Sequence, residues 1–72
     1  MLHTMKVKAL RPRELIKIAQ SYGWTHVRTT GSHWIMVKKG YRSVPIPNHA
    51  KELPPGFVKT ILRQLGINPK EV

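Results

Sequence analysis

The side chains with chemistry to offer are four histidines, at positions 3, 26, 33 and 49, set among 13 lysines and arginines. Only three carboxylates accompany them, Glu14, Glu52 and Glu71, and there is no cysteine. A two-metal nuclease needs a cluster of oxygen ligands, and the three acids are too dispersed to supply one. No paired carboxylates mark a glycosidase, and no serine has a recognisable triad. The histidine spacings form no zinc pattern, so a metal site would need three of them to converge by folding. No metal and no cofactor are therefore expected.

RNA can be cut without metal. Its 2′-hydroxyl attacks the adjacent phosphate when a base removes the proton and an acid protonates the departing 5′-oxygen, and imidazole suits either role near neutral pH. Nearby cations stabilise the extra charge that develops on the phosphate. His33, in Gly31-Ser32-His33, is the candidate. Arg28, Lys38, Lys39 and Arg42 flank it as phosphate ligands, and Ser32 adds a hydroxyl. The competing interpretation has His33 only pairing with a backbone group at the end of a hairpin. Arg28 is in the same way either a phosphate ligand or a solvated strand arginine. Trp34 either stacks on an unpaired base or meets the core or a protein partner.

The elements that must position these groups can be read from Trp24 to His49. Three short extended runs, Trp24 to Thr30, Ser32 to Lys38 and Arg42 to Ile46, are separated by Thr30-Gly31 and Lys39-Gly40-Tyr41. Each separator holds a glycine for positive φ, so the runs form an antiparallel meander. Pro45 has no N–H and is tolerated at an edge, which makes Ser32 to Lys38 the central strand. Alternation puts His33, Ile35 and Val37 on one face and Trp34, Met36 and Lys38 on the other. Ile35 and Val37 are expected to face the helices beside Val44 and Ile46, leaving Trp34 and Met36 on the open face. Trp24 and Val27 differ in parity, so either a bulge intervenes or Trp24 belongs to the preceding turn.

A helix precedes the meander and another follows it. The first starts near Pro12, carries Leu15, Ile18, Ala19 and Tyr22 as one apolar stripe, and ends at Gly23. The second starts near Gly56, carries Val58, Ile61, Leu62 and Leu65 with Phe57 one turn before Ile61, and ends at Gly66. Their outer sides hold Arg13 with Lys17 and Lys59 with Arg63, either solvated faces or phosphate-contacting stripes. Asn68-Pro69-Lys70-Glu71 starts one further short turn of helix. Met1 to Leu10 shows no period and reads as a lead-in, with Val7 and Leu10 able to lean on the core, Met5 a possible natural start and His3 outside the chemistry. The order α-β-β-β-α, with a three-stranded antiparallel sheet and two helices on one face, is that of the double-stranded-RNA-binding fold. Seventy-two residues make one domain, 1–72, with a thin core.

Thirteen basic residues against three acidic ones give a net charge of +10. A small body so charged attracts polyanions, with RNA the first candidate and an acidic protein the second. The basic residues are spread along the chain and not gathered on one long amphipathic face, which argues against a membrane-surface helix. No run approaches a membrane span and no apolar leader is present, so the cytoplasm is the expected location.

An ordered set of pieces carries a family resemblance. Gly23-Trp24, Arg28, Gly31-Ser32-His33, Val44-Pro45-Ile46-Pro47-Asn48-His49, Lys51-Glu52-Leu53 with Gly56 beyond it, and Ile61-Leu62-Arg63-Gln64-Leu65-Gly66-Ile67 resemble the HicA toxins of bacterial and archaeal type II toxin–antitoxin systems. The resemblance covers nearly all of the chain after Leu10. It implies a small double-stranded-RNA-binding-like domain that acts as a ribosome-independent mRNA interferase, arrests translation and is held inactive by a HicB antitoxin covering its active site. The family's catalytic histidine is that of the Gly-Ser-His motif, which carries over to His33. His49 falls in the family's Pro-x-His segment, and a structural turn is its expected role. The chain departs from compact members in its longer N-terminus and in the short Lys39-Gly40 turn, which bears on which RNA backbone the basic residues reach.

Three functions compete. A metal-independent ribonuclease toxin cuts RNA in EDTA and loses cleavage with His33→Ala. A non-catalytic RNA-binding module binds in a steeply salt-dependent way, yields no products and is indifferent to that substitution. A protein-interaction domain ignores RNA at low salt and pairs tightly with the product of a neighbouring gene.

Overall fold

A computed structural model describes residues 7–72; the expectations for the first six residues, His3 and Met5 among them, lie outside the described residues. The order is α1 (Pro12–Ser21), β1 (Thr25–Thr30), β2 (His33–Val37), β3 (Val44–Pro47), α2 (Pro55–Gln64) and a closing 3-10 turn, Pro69–Glu71. The strands form one antiparallel sheet in the order β1-β2-β3. β2 is central and proline-containing β3 is an edge, as expected from Pro45.

Each helix is started by proline and stopped by glycine. α1 opens on Pro12, and Glu14 reaches back to accept a 2.8 Å hydrogen bond from the Arg11 N–H, satisfying a donor at the helix start. Past its end Gly23 takes φ +94°. α2 opens on Pro55 and ends before Gly66, at φ +72°. The stripes pack as their spacing requires: Leu15 and Ala19 of α1, and Val58, Ile61 and Leu62 of α2 with Leu65 just beyond, are buried together. Phe57 departs from expectation and is 42 % exposed. At 100° per residue it points about 90° away from the axis of that stripe.

The face of the sheet that meets the helices is the reverse of the one expected. Met36 is fully buried and half-buried Trp34 packs against the core, whereas Ile35 and Val37 lie on the open face. The β2–β3 register explains it: Met36 pairs with Val44 and Trp34 with Ile46, so the inner face carries Trp34, Met36, Val44 and Ile46. Turning Trp and Met inward removes more apolar surface from water than turning Ile and Val. It also spares the fold the burial of His33, which shares the parity of Ile35 and Val37.

Three ties fix the layers to one another. Leu10 and Leu53 exchange backbone hydrogen bonds of 3.1 and 2.7 Å, joining the segments that lead into the two helices. Trp24 precedes β1, as one of the two alternatives had it, and its buried indole donates to the Leu65 carbonyl at 3.1 Å. Tyr41, from the β2–β3 loop, packs edge-on against Trp24 at 5.4 Å and lies over Gly66.

Candidate active site

His33 is the first residue of β2 and is exposed. It follows a two-residue hairpin loop, Gly31-Ser32, closed by the pair Thr30 and His33. Gly31 has φ +57° and Ser32 is not left-handed, the pattern of a type II′ turn whose twist matches the strands it joins. The short loop thus holds the imidazole at the very end of the sheet, on the open face.

On the other side His33 pairs with Pro47. The ladder runs one step further, because the Asn48 N–H donates to the Ser32 carbonyl at 2.7 Å. That bond makes Ser32 and Asn48 a hydrogen-bonded pair, so His33 with Pro47 and Ile35 with Pro45 are non-hydrogen-bonded pairs, where side chains stand closest. Both prolines sit where their missing N–H would have pointed outward, and β3 offers little to a further strand.

Arg28 reaches this face through an irregularity. The pairing shifts between His26 and Arg28, leaving Val27 as an extra, unpaired residue. The bulge is the other alternative raised by the parity of Trp24 and Val27, and both are present. Because Val27 takes no partner, Arg28 stands opposite Ile35 and shares the face of His33, on the diagonal roughly 7–8 Å away, within a long side chain's reach.

Lys38, Lys39 and Arg42 lie elsewhere. They belong to the β2–β3 connection at the opposite end of β2, five steps or roughly 16 Å from His33. The half-buried Lys38 ammonium donates a 2.8 Å hydrogen bond to the Tyr22 carbonyl and stands 5.2 Å from the Tyr41 ring, so it caps the end of α1. Lys39 and Arg42 are exposed. Ser32, half-buried, adjoins His33 in the turn. Of the site residues expected, Arg28, Ser32 and His33 therefore come together and the other three do not.

The structure brings in a neighbour that linear distance concealed. The segment Asn48-His49 is held beside Ser32-His33 by the ladder, and His49 is exposed. The register Pro47 to His33 is the signal for it. His26, by contrast, opposes Met36 and is half-buried, with its Nε2 3.1 Å from Thr29 Oγ1 and its ring edge-on to Trp34 at 6.3 Å. Trp34, expected on the open face, is occupied by these inner contacts.

None of the three carboxylates lies in a strand, whereas Arg28 does, on the open face. Glu14 is engaged with Arg11, and Glu71 Oε1 stands 3.5 Å from the Tyr22 hydroxyl in the helical layer. Among the described residues no three of His, Cys, Asp and Glu gather as a metal site requires. An exposed imidazole with an arginine on the same face can bind an anion and exchange a proton with it. No helix among the described residues is long and apolar enough to cross a membrane.

No curated protein and no solved structure matches the chain. The family model for the HicA toxin of bacterial toxin–antitoxin systems matches residues 12–67, from the first residue of α1 to the last buried residue after α2. That span contains both helices, the whole sheet and every site residue described above, and the chain belongs to the HicA toxin family of toxin–antitoxin systems.

Proposed function

We propose that the protein is a metal-independent endoribonuclease that arrests translation by cutting mRNA, with His33 transferring a proton in the reaction and a HicB-type antitoxin covering the site. The observation that carries this reading is the placement of His33: exposed, at the end of a hairpin, with Arg28 on the same open face. The 2′-hydroxyl of the RNA is the nucleophile, so the protein supplies no covalent intermediate. It removes the 2′-proton, stabilises the doubly charged phosphate and protonates the 5′-oxygen, leaving a 2′,3′-cyclic phosphate and a 5′-hydroxyl. Arg28 is the cation best placed for the phosphate, Ser32 a hydrogen-bonding group beside it, and Lys39 and Arg42 hold the RNA strand further along.

The test is cleavage of an oligoribonucleotide in EDTA. The wild type yields products; His33→Ala yields none while keeping its fold and its salt-dependent RNA binding. Undiminished cleavage by that variant refutes the assignment.

One observation favours a second reading, a non-catalytic RNA-binding module: Lys39 and Arg42 are exposed at the end of the sheet away from His33. Under it, RNA binds along those cations, no products form, and His33→Ala changes nothing.

A further inference from the structure

His33 alone does not complete the chemistry just described, because strand scission moves two protons at once, from the 2′-oxygen and to the 5′-oxygen on the opposite side of the phosphorus. Two groups that ionise near neutral pH are called for, both in water and both on one face. We infer that His49 is the second proton-transfer group, paired with His33 across one phosphodiester; the inference rests on the reading of the protein as a metal-independent ribonuclease.

Three observations carry it. The His33–Pro47 pair and the Asn48-to-Ser32 hydrogen bond extend the β2–β3 ladder to the residue before His49. A non-hydrogen-bonded pair separates Cα atoms by about 4.5 Å and two residues of chain reach at most about 7 Å further, which keeps the His33 and His49 Cα atoms within about 12 Å of each other. That gap leaves room for one phosphate between two imidazoles, each within about 3 Å of its oxygen. Second, His49 directly follows the last residue that this ladder holds, at a bend just past the end of β3, and its side chain is exposed. Third, His26 is turned inward against Trp34 and Glu14 and Glu71 lie in the helical layer, while the exposed Glu52 lies in the loop three residues beyond His49.

The step balances. One imidazole, neutral, takes the 2′-proton as O2′ bonds to phosphorus; the other, protonated, gives its proton to O5′ as the P–O5′ bond breaks. The two histidines end with their protonation states exchanged, and no oxidant, reductant or metal takes part.

The test compares wild type, His33→Ala, His49→Ala and His49→Gln on two substrates, in EDTA. One is an oligoribonucleotide cut at a site mapped with the wild type. The other carries sulfur in place of the bridging 5′-oxygen at that site, so the leaving group departs as a thiolate without needing a proton. On ordinary RNA both His49 variants are expected to lose on the order of 10²–10⁴-fold. Thermal midpoints and low-salt RNA binding should stay near wild type. On the sulfur substrate one of the two histidine positions recovers to near the wild-type rate and the other does not; the recovered one is the acid, the other the base. Cleavage of ordinary RNA by His49→Gln within threefold of wild type overturns the inference and leaves the ribonuclease reading standing. So does a loss at His49 that comes with recovery at neither position, or at both. A wild type that cuts neither substrate sinks the ribonuclease reading itself, and this inference with it.

Discussion

Whether an imidazole at the start of β2 meets RNA or sits under a helix depends on the parity of one strand, and truncating adjacent residues measures that parity. Met36→Ala empties a fully buried position on the inner face. Such substitutions cost about 2–5 kcal/mol, from lost transfer energy and the cavity left behind. A 72-residue domain has a total stability of only about 4–11 kcal/mol at typical values per residue. Met36→Ala should therefore lower the thermal midpoint by on the order of 10–30 °C, and can leave the chain largely unfolded at 37 °C. Ile35→Ala, one residue away but half-buried on the open face, removes less contact and should cost about 1 kcal/mol, or about 4–8 °C. Thermal denaturation followed by circular dichroism, at matched salt because the net charge is high, gives both numbers. An Ile35→Ala loss equal to or larger than that of Met36→Ala would show that β2 faces the other way. His33 would then lie beneath the helices and the catalytic proposal would lose its footing.

Other outcomes follow from single contacts. Arg28→Gln should slow RNA cleavage about tenfold or more and lower the salt slope of binding by about one, whereas Arg42→Gln, at the far end of β2, should change the slope alike but leave the cleavage of bound RNA within about twofold. Trp24→Phe removes the indole that donates to Leu65 and strands a buried carbonyl, for a loss of about 1–3 kcal/mol in chemical denaturation. Gly66→Ala places a methyl group 2.9 Å from Tyr41 Cε2 on a backbone at φ +72°, and should cost about 1–2 kcal/mol for the left-handed residue alone. Adding Tyr41→Ala should recover the steric part only, a non-additivity that a double-mutant cycle reads directly.

Much of this protein was legible in its sequence because local rules settle it. Proline and glycine bracket the helices, and stripes at i, i+3, i+4 and i+7 name their buried faces. Two glycines divide three extended runs, and Pro45 makes the third run an edge. The Gly31-Ser32-His33 turn, the near absence of acid and the family resemblance followed from the same residues. Tertiary structure decided what periodicity leaves open. Alternation divides β2 into two faces without saying which is wet, and the choice fell to the partners that Trp34 and Met36 find in Ile46 and Val44. A single unpaired residue, Val27, determines whether Arg28 faces the helices or the site, because in a strand a one-residue shift exchanges the faces. Sequence proximity made Lys38, Lys39 and Arg42 look like neighbours of His33, but a strand separates its two ends in space. Fifteen residues of intervening chain hid His49, which antiparallel pairing then brings back to the same end of the sheet.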